Sequence, residues 1–463
     1  MRAFMTASKP RAGSIVGSTY NVPLSSLTLT ELEEEKQKLT MQAKPGFGVP
    51  PPPFAVYVEE EGMLKMPRFY GLGRFGAAER DDRVEGDPID IQFTGTLRAV
   101  QREAKAAAMT HLDEKTGGVI IVLPCGTGKT VVATEMIASM KRKAAILVHT
   151  AVIRDQWKAA FETFCPGVKV GIIQGKTWEV EGYDVVLCMV MTMAKRSYDP
   201  SEMDGFGVVC CDEAHHLAAP VMGLAMRSFR AKRIIGLTAT KERPDGLTSL
   251  LHYALGPEGF RAERDGGETV KVSVAVYSNA IKEILTRDGM PLVSIMLNKL
   301  AAHPERNLFI ATRAVTMRKN GRNILILSDR RDQLNILHLL MMGQGVPEEQ
   351  IGFFVGSTKE AERAEQLARP VVLCTYQMAN EGLDKKQADT IIFATPKKRI
   401  IQAVGRVQRP CETKQPPLVL DIADDVSLFG SLRFQRQKLY SKEKYEVQVV
   451  HLNSQPDEDV WFT

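Results

Sequence analysis

From Phe93 onward, short continuous apolar runs alternate with stretches whose apolar positions recur at helical spacing. The runs at 120–123, 145–149, 170–173, 184–189, 207–211 and 234–237 read as buried strands. Helices are predicted between them, at 102–109, 131–140 and 153–164. In the last of these, Trp157, Ala160, Phe161 and Phe164 share one face, a stripe that core packing explains. A second series begins after Gly256, with a strand at 270–276 and helices at 292–302 and 308–318. Strands at 323–327, 351–354, 371–374, 390–393 and 418–422 follow. This alternation predicts an α/β fold with parallel sheets, in two domains in series, 91–255 and 256–445.

The flanks read differently. In residues 1–90, an N-terminal extension, Thr30-Glu31-Leu32-Glu33 has capping-box spacing and opens a charged helix running to Leu39. Pro45 to Pro53 holds five prolines and two glycines, a stiff extended connector. In Met66-Pro67-Arg68-Phe69-Tyr70-Gly71-Leu72-Gly73-Arg74-Phe75-Gly76, aromatics alternate with arginines. Such a stretch can stack on nucleic-acid bases; a loop or strand pinned by its aromatics against the core is the preferred reading. Gly86-Asp87-Pro88 marks a boundary. The tail, 446–463, places Asp457, Glu458 and Asp459 before Val460-Trp461-Phe462-Thr463. Of two readings, a docking peptide and a frayed terminus, the second is preferred.

Composition narrows this picture. No apolar run reaches the roughly 18–20 residues that cross a bilayer, and Met1-Arg2 has no apolar stretch behind it, so neither a membrane partner nor a signal peptide is expected. Seven cysteines without a C-x-x-C pair argue against disulfides and zinc, with Cys210 and Cys211 as buried small hydrophobes. A reducing compartment, cytoplasmic or nuclear, follows. The net charge of +5 permits a polyanionic partner without requiring one.

The chemistry sits where apolar runs end. Ile120-Ile121-Val122-Leu123 feeds Pro124-Cys125-Gly126-Thr127-Gly128-Lys129-Thr130, close to the Gly-x-x-x-x-Gly-Lys-Thr phosphate cradle, with Pro124 in place of the first Gly. Glycines there let backbone N–H groups approach an anion, and the next helix turns its positive end to it. Lys129 would reach the β- and γ-phosphates of ATP, and the Thr130 hydroxyl would hold Mg²⁺. Val208-Val209-Cys210-Cys211 ends in Asp212-Glu213-Ala214-His215. Asp212 would hold the Mg²⁺ and Glu213 would polarise the attacking water. His215 reads either as a link between domains or as a helix-start residue. Gly236-Leu237-Thr238-Ala239-Thr240 ends another strand in two hydroxyls suited to an interface. In Gln402-Ala403-Val404-Gly405-Arg406-Val407-Gln408-Arg409, the spacing puts Gln402, Arg406 and Arg409 on one helix face. A solvated basic face is the ordinary reading of such a run. Gly405, between Gln402 and Arg406, lowers helix propensity there and points instead to a close approach, and a guanidinium brought to a γ-phosphate is an arginine finger.

Together these residues resemble the superfamily 2 helicases of the Asp-Glu-Ala-His class over residues 93–440, with the motifs in the family's order. Leu97-Arg98-Ala99-Val100-Gln101 resembles the adenine-reading motif, which gives Gln101 that role. The cradle, Asp212–His215, Thr238–Thr240 and Gln402–Arg409 correspond to motifs I, II, III and VI. His149-Thr150 resembles motif Ia, giving Thr150 a phosphate contact. Thr192 stands at the hydroxyl of motif Ib, with Met189 and Met191 in place of more usual polar residues. Ile324 to Asp329 resembles motif IV, with Ser328 near the strand, and Thr375 would touch the nucleic-acid backbone. In Asn380-Glu381-Gly382-Leu383-Asp384, similar to motif V, Gly382 and Asp384 would sit near the nucleotide.

The resemblance implies two tandem RecA-like domains that share one ATP. It extends to DNA translocases related to the repair-and-transcription factor helicase subunit, to phage recombination helicases, and to transcript-release helicases of poxviruses and other large DNA viruses. The implied activity is ATP-dependent translocation on DNA, sequence-tolerant and salt-sensitive, in viral transcription or in repair and recombination. Transcription or virion proteins are the implied protein partners, and a viral member could be packaged in the virion. Two alternatives stay open: an RNA helicase, and a scaffold subunit with vestigial ATPase motifs.

Overall fold

A computed structural model describes residues 10–44, 51–113, 116–124, 126–196, 198–214, 219–240, 245–262, 269–278, 281–381, 383, 385–398, 400–409, 411 and 414–452. The chain divides into two compact units, residues 1–263 and 264–463.

The first unit is built on an eight-stranded sheet. Its order is Thr177–Trp178, Val170–Gln174, Val185–Met189, Ala144–Val148, Val208–Cys211, Arg233–Thr238, Gly118–Val122 and Glu258–Arg261. Every neighbour pairs in parallel except Thr177–Trp178, which folds back on Val170–Gln174 as a hairpin. A parallel sheet needs both faces covered, so its central strands are apolar throughout rather than alternating. The alternation shows instead in which face each residue serves. Ile120 and Val122 join one core cluster, while Val119, Ile121 and Leu123 join the other. Parallel strands also gather all their C-terminal ends at one edge, where open α/β sheets bind ligands. That edge carries the turns after Val122, Val148, Met189, Cys211 and Thr238.

The N-terminal part of this unit has a small sheet of its own, in which Thr19–Pro23 pairs antiparallel with Met63–Pro67. The charged helix is Leu29–Lys38, and its capping box is Thr28 with Glu31, two residues before the predicted one. Both Thr-x-x-Glu frames fit the pattern, and the flanking leucines decide between them. Starting at Thr28 places Leu27 and Leu32 at the two staple positions, and both pack on the N-terminal cluster. Starting at Thr30 would instead use Leu29, which is 83% exposed.

Met66 to Gly76 forms the end of a strand followed by the helix Arg68–Phe75. It is core. Phe69, Tyr70 and Phe75 are buried, and Phe69 belongs to the sheet's own cluster. Arg68 is buried as well and donates to the carbonyls of Ala231 at 2.7 Å and Phe229 at 3.1 Å. Burial pushes its guanidinium down to about 9. Buried Glu35 accepts from Tyr70, from Arg74 at 2.8 Å and from Lys38 at 3.0 Å. Although burial acts to raise it, these donors hold its carboxyl below the usual range. The aromatic–arginine stretch is thus spent on packing and leaves no stacking surface.

The second unit is a seven-stranded, wholly parallel sheet. Its order is Ile351–Phe354, Val371–Thr375, Ile324–Ser328, Thr390–Phe393, Leu418–Asp424, Lys271–Tyr277 and Glu446–His451. Core clusters lie on both faces. Two strands cross the domain bounds that the sequence suggests. Glu258–Arg261 completes the first sheet beside the cradle strand. Glu446–His451, at the start of the predicted tail, is an edge strand on Lys271–Tyr277; residues 453–463 lie outside the described residues. No helix among the described residues is long and apolar enough to cross a membrane.

Candidate nucleotide site

The cradle strand Gly118–Val122 runs beside Arg233–Thr238, and the Leu123 N–H continues the ladder to Thr238 O at 3.0 Å. Beyond it, Thr127 closes the turn on Pro124. Its amide and its hydroxyl both donate to the Pro124 carbonyl, at 3.3 and 2.6 Å. Gly126 and Gly128 take φ of 82° and 83°, the left-handed region that side chains resist. The helix Lys129–Met140 starts directly after Gly128, so Lys129 and Thr130 lie in its first turn. Amide N–H groups in a first turn have no acceptor within the helix, which makes the position anion-seeking. Cys125 lies outside the described residues.

Gln101, near the start of the helix Ala99–Asp113, is buried against this turn. Its Nε2 donates to Thr127 O at 2.8 Å, and its Oε1 accepts from the Arg98 amide at 2.8 Å. Arg98 also donates to Thr127 O. A Cβ on Gly128 would stand 2.5 Å from Gln101 Nε2, so the glycine permits this contact. In this structure Gln101 therefore fastens the cradle to the preceding helix.

Two strands away, Val208–Cys211 delivers Asp212 and Glu213 to the same edge. Lys129 Nζ lies 3.3 Å from Glu213 Oε1, which brings cradle lysine and strand-end carboxylates into one cluster. Glu213 adopts φ 44°, unusual for a residue with a side chain. Local strain of this kind concentrates at functional sites. Asp212 is nearly buried. Its Oδ2 accepts from Trp157 Nε1 at 2.7 Å, and its Oδ1 accepts from the Glu213 amide at 2.8 Å. Burial, then the neighbouring Glu213 charge, pushes the Asp212 carboxyl up to about 6, against the opposing pull of Lys129 and the Trp157 N–H.

The buried Asp212 carboxylate at a strand end and the Thr130 hydroxyl in the first turn of the cradle helix are hard-oxygen donors of the kind a divalent cation takes. Among the described residues no group of three or more His, Cys, Asp or Glu is gathered to hold a metal. Mg²⁺ takes one or two carboxylates and completes its shell with phosphate and water. Thr130 and Asp212 fit such an ion.

The other hydroxyls of this edge have varied surroundings. Thr238 Oγ1 donates to Thr240 O at 3.1 Å and accepts from the Thr240 amide at 3.2 Å, a turn closed on itself. The Thr240 hydroxyl is buried with no hydrogen-bond partner among the described residues. Thr150 caps the helix Ala151–Phe164, accepting from the Ile153 amide at 3.4 Å. That cap uses the hydroxyl only as an acceptor, so its O–H can still donate to a phosphate oxygen. Thr192 accepts from the Gly175 amide at 3.1 Å. His215 lies outside the described residues.

In the second unit, Thr375 ends its strand directly beside Ser328. Ser328 is fully buried: its hydroxyl donates towards Gln333 Oε1 at 2.7 Å and accepts from the Arg330 amide at 2.9 Å. It organises the turn and has no exposed atom to offer a strand. The adjoining edge is tied together by residues that the sequence did not single out. Lys397 pairs with Asp329 at 2.8 Å and stands 5.2 Å over the Tyr376 ring, while the Tyr376 hydroxyl donates to Thr395 O at 2.7 Å.

Gln402 and Arg406 share the helix Ile401–Val407, which ends before Arg409, so the predicted three-residue face is cut to two. Pro410 explains this, because a residue before proline is disfavoured in the α region. Gly382 and Asp384 lie outside the described residues.

Residues 94–243 match the family described as the type III restriction enzyme res subunit, and residues 307–411 match the helicase conserved C-terminal domain. A protein of Acanthamoeba polyphaga mimivirus, provisionally named an ATP-dependent RNA helicase, is 30% identical over 409 residues, 86% of this chain and 78% of its own. The chain belongs to the superfamily 2 helicases. An African swine fever virus protein carrying the same provisional name is 24% identical to this helicase over 360 residues, 72% of this chain and 70% of its own. The structure of S. cerevisiae Dbp5 bound to RNA and ADP BeF3 covers 78% of this chain and 91% of its own, at 11% identity and a TM-score of 0.55, which shows the tandem RecA-like fold. This helicase is accordingly a nucleic-acid-dependent ATPase, and its family uses ATP with a divalent metal.

Proposed function

We propose that this helicase is a motor that moves on DNA, driven by ATP hydrolysis at Lys129, Thr130, Asp212 and Glu213. The observation that carries the reading is the Lys129–Glu213 pair at 3.3 Å beside buried Asp212. In the proposed reaction Lys129 leaves Glu213 to bind the β- and γ-phosphates. Thr130 and Asp212 would hold Mg²⁺, which when bound would offset charge on the phosphate oxygens. Glu213, released from its lysine, orients the attacking water. Arg406 and Arg409 of the second unit stabilise the charge that develops on the γ-phosphate, and Gln402 supports them. Gly382 and Asp384 attend the same nucleotide. His215, Thr238 and Thr240 couple hydrolysis to movement, and Thr150, Thr192 and Thr375 grip the strand's backbone. The likeness to proteins of large DNA viruses favours a role in transcription or repair of such a genome, and the cysteine usage, without a C-x-x-C pair, favours a reducing compartment. Partners there would be transcription or virion proteins.

The match of residues 94–243 to the type III restriction enzyme res subunit family favours DNA. The names of the viral relatives favour a second reading, an RNA helicase. ATP hydrolysis measured with single-stranded DNA, duplex DNA and RNA separates the two. DNA is expected to stimulate most, and stimulation by RNA alone would overturn the first reading. Arg409→Ala is expected to keep nucleotide binding and slow hydrolysis by about 10³-fold or more, as loss of an arginine finger does. Single-turnover hydrolysis checks this, and a normal rate per bound ATP would remove Arg409 from the site.

A further inference from the structure

We propose that Trp157 is a positioning residue for Asp212, an indole donor that holds the carboxylate in the orientation a divalent cation requires. The inference rests on the reading of Asp212 as a cation-holding group. Trp157 is fully buried in the helix Ala151–Phe164, with its ring 5.8 Å from that of Phe161. For filling that space a phenylalanine would serve nearly as well. What the indole adds is a single N–H, a group that must find an acceptor when buried. It finds Asp212 Oδ2, at 2.7 Å.

The carboxylate is held from two sides. Oδ2 takes the indole and Oδ1 takes the Glu213 amide at 2.8 Å, while the Asp212 amide donates to Leu147 O at 3.1 Å. With one donor on each oxygen, the rotation of this short side chain is fixed. Each oxygen keeps a further lone pair, so the grip leaves capacity for a cation. The donor is also neutral. An arginine or lysine in its place would orient the group but cancel the charge that attracts the metal. Outer partners of this kind typically change metal affinity by about 10- to 100-fold when removed.

Trp157→Phe keeps a buried ring and deletes the donor. The probe is a fluorescent ADP analogue, titrated with Mg²⁺. The expected result is a half-saturating Mg²⁺ concentration raised by about 10- to 100-fold, with metal-free binding of the analogue unchanged. In an Asp212→Asn background, Trp157→Phe is expected to add no further shift. If Asp212→Asn weakens the Mg²⁺ dependence and Trp157→Phe does not, the positioning role is overturned while the reading of Asp212 stands. If Asp212→Asn leaves that dependence intact, the reading of the site itself fails.

A measurement on the unsubstituted fold covers the case in which Trp157→Phe does not fold. The chain has three tryptophans, Trp157, Trp178 and Trp461, so Trp178→Phe and Trp461→Phe assign the Trp157 indole resonance in ¹⁵N-tryptophan protein. That resonance is expected to move when Mg²⁺ is added to the ADP-bound protein. An indole signal indifferent to Mg²⁺ would overturn the proposal.

Discussion

Glu213→Gln is expected to bind ATP at least as tightly as the wild-type chain and to hydrolyse it about 10²- to 10⁴-fold more slowly, the range for loss of a positioned general base. The amide keeps the size of the carboxylate and its capacity to accept from a water. It loses the charge that makes the group a base, and with it the ion pair to Lys129 at 3.3 Å. That second loss sets the sign of the binding effect. In the wild-type chain Lys129 must leave its ion pair with Glu213 before it can serve a phosphate, whereas in Glu213→Gln that pair is gone and only the Asp212 charge still opposes the move. Backbone strain is not a confounder, since glutamine meets the same φ of 44° that glutamate does. Equilibrium binding of a fluorescent nucleotide and single-turnover hydrolysis separate the two effects. Unchanged hydrolysis would take Glu213 out of the chemistry.

The largest expected effect on stability lies away from the nucleotide site. Arg306 and Asp424 are fully buried in the second unit and form a two-pronged pair, Nε to Oδ1 and Nη2 to Oδ2, each at 2.8 Å. Arg306 Nη1 donates to Ala394 O at 2.7 Å, so the guanidinium ties the end of Leu418–Asp424 to the chain leaving Thr390–Phe393. Asp424→Ala strands a buried cation and is expected to destabilise the second unit by about 3–5 kcal/mol. Arg306→Met with Asp424→Leu removes both charges and replaces them with apolar volume, so the double variant should lose much less. Denaturant unfolding followed by hydrogen exchange in second-unit peptides isolates this unit from the first. A double variant as unstable as Asp424→Ala would show that packing, rather than the uncompensated charge, sets the cost.

Legibility from sequence followed burial. Gly118–Val122, Ala144–Val148 and Ile324–Ser328 are buried on both faces, so continuous apolar runs mark them to within two residues at either end. Thr177–Trp178, Glu258–Arg261 and Glu446–His451 lie at sheet edges, where partly exposed residues carry no such run. Their partners, not their own composition, make them strands. Among site residues, the cradle and Asp212-Glu213 were legible because phosphate chemistry demands particular residue types at fixed spacing. Trp157 looks like packing in the sequence, because helical periodicity registers its bulk and not its N–H. The ties made by Gln101, Lys397 and Tyr376 depend on tertiary contacts that no local pattern encodes. The i+7 spacing of Arg409 suits a helix face, but the helix stops at Val407, short of the Arg409-Pro410 step.

Steady-state ATP hydrolysis by the full chain, with and without a saturating polynucleotide and beside Lys129→Ala, tests the account most directly. Hydrolysis that rises with the polynucleotide in the wild-type chain, and vanishes with and without it in a folded Lys129→Ala protein, is the predicted result. Equal hydrolysis by the two proteins, or a wild-type rate indifferent to any polynucleotide, would contradict it.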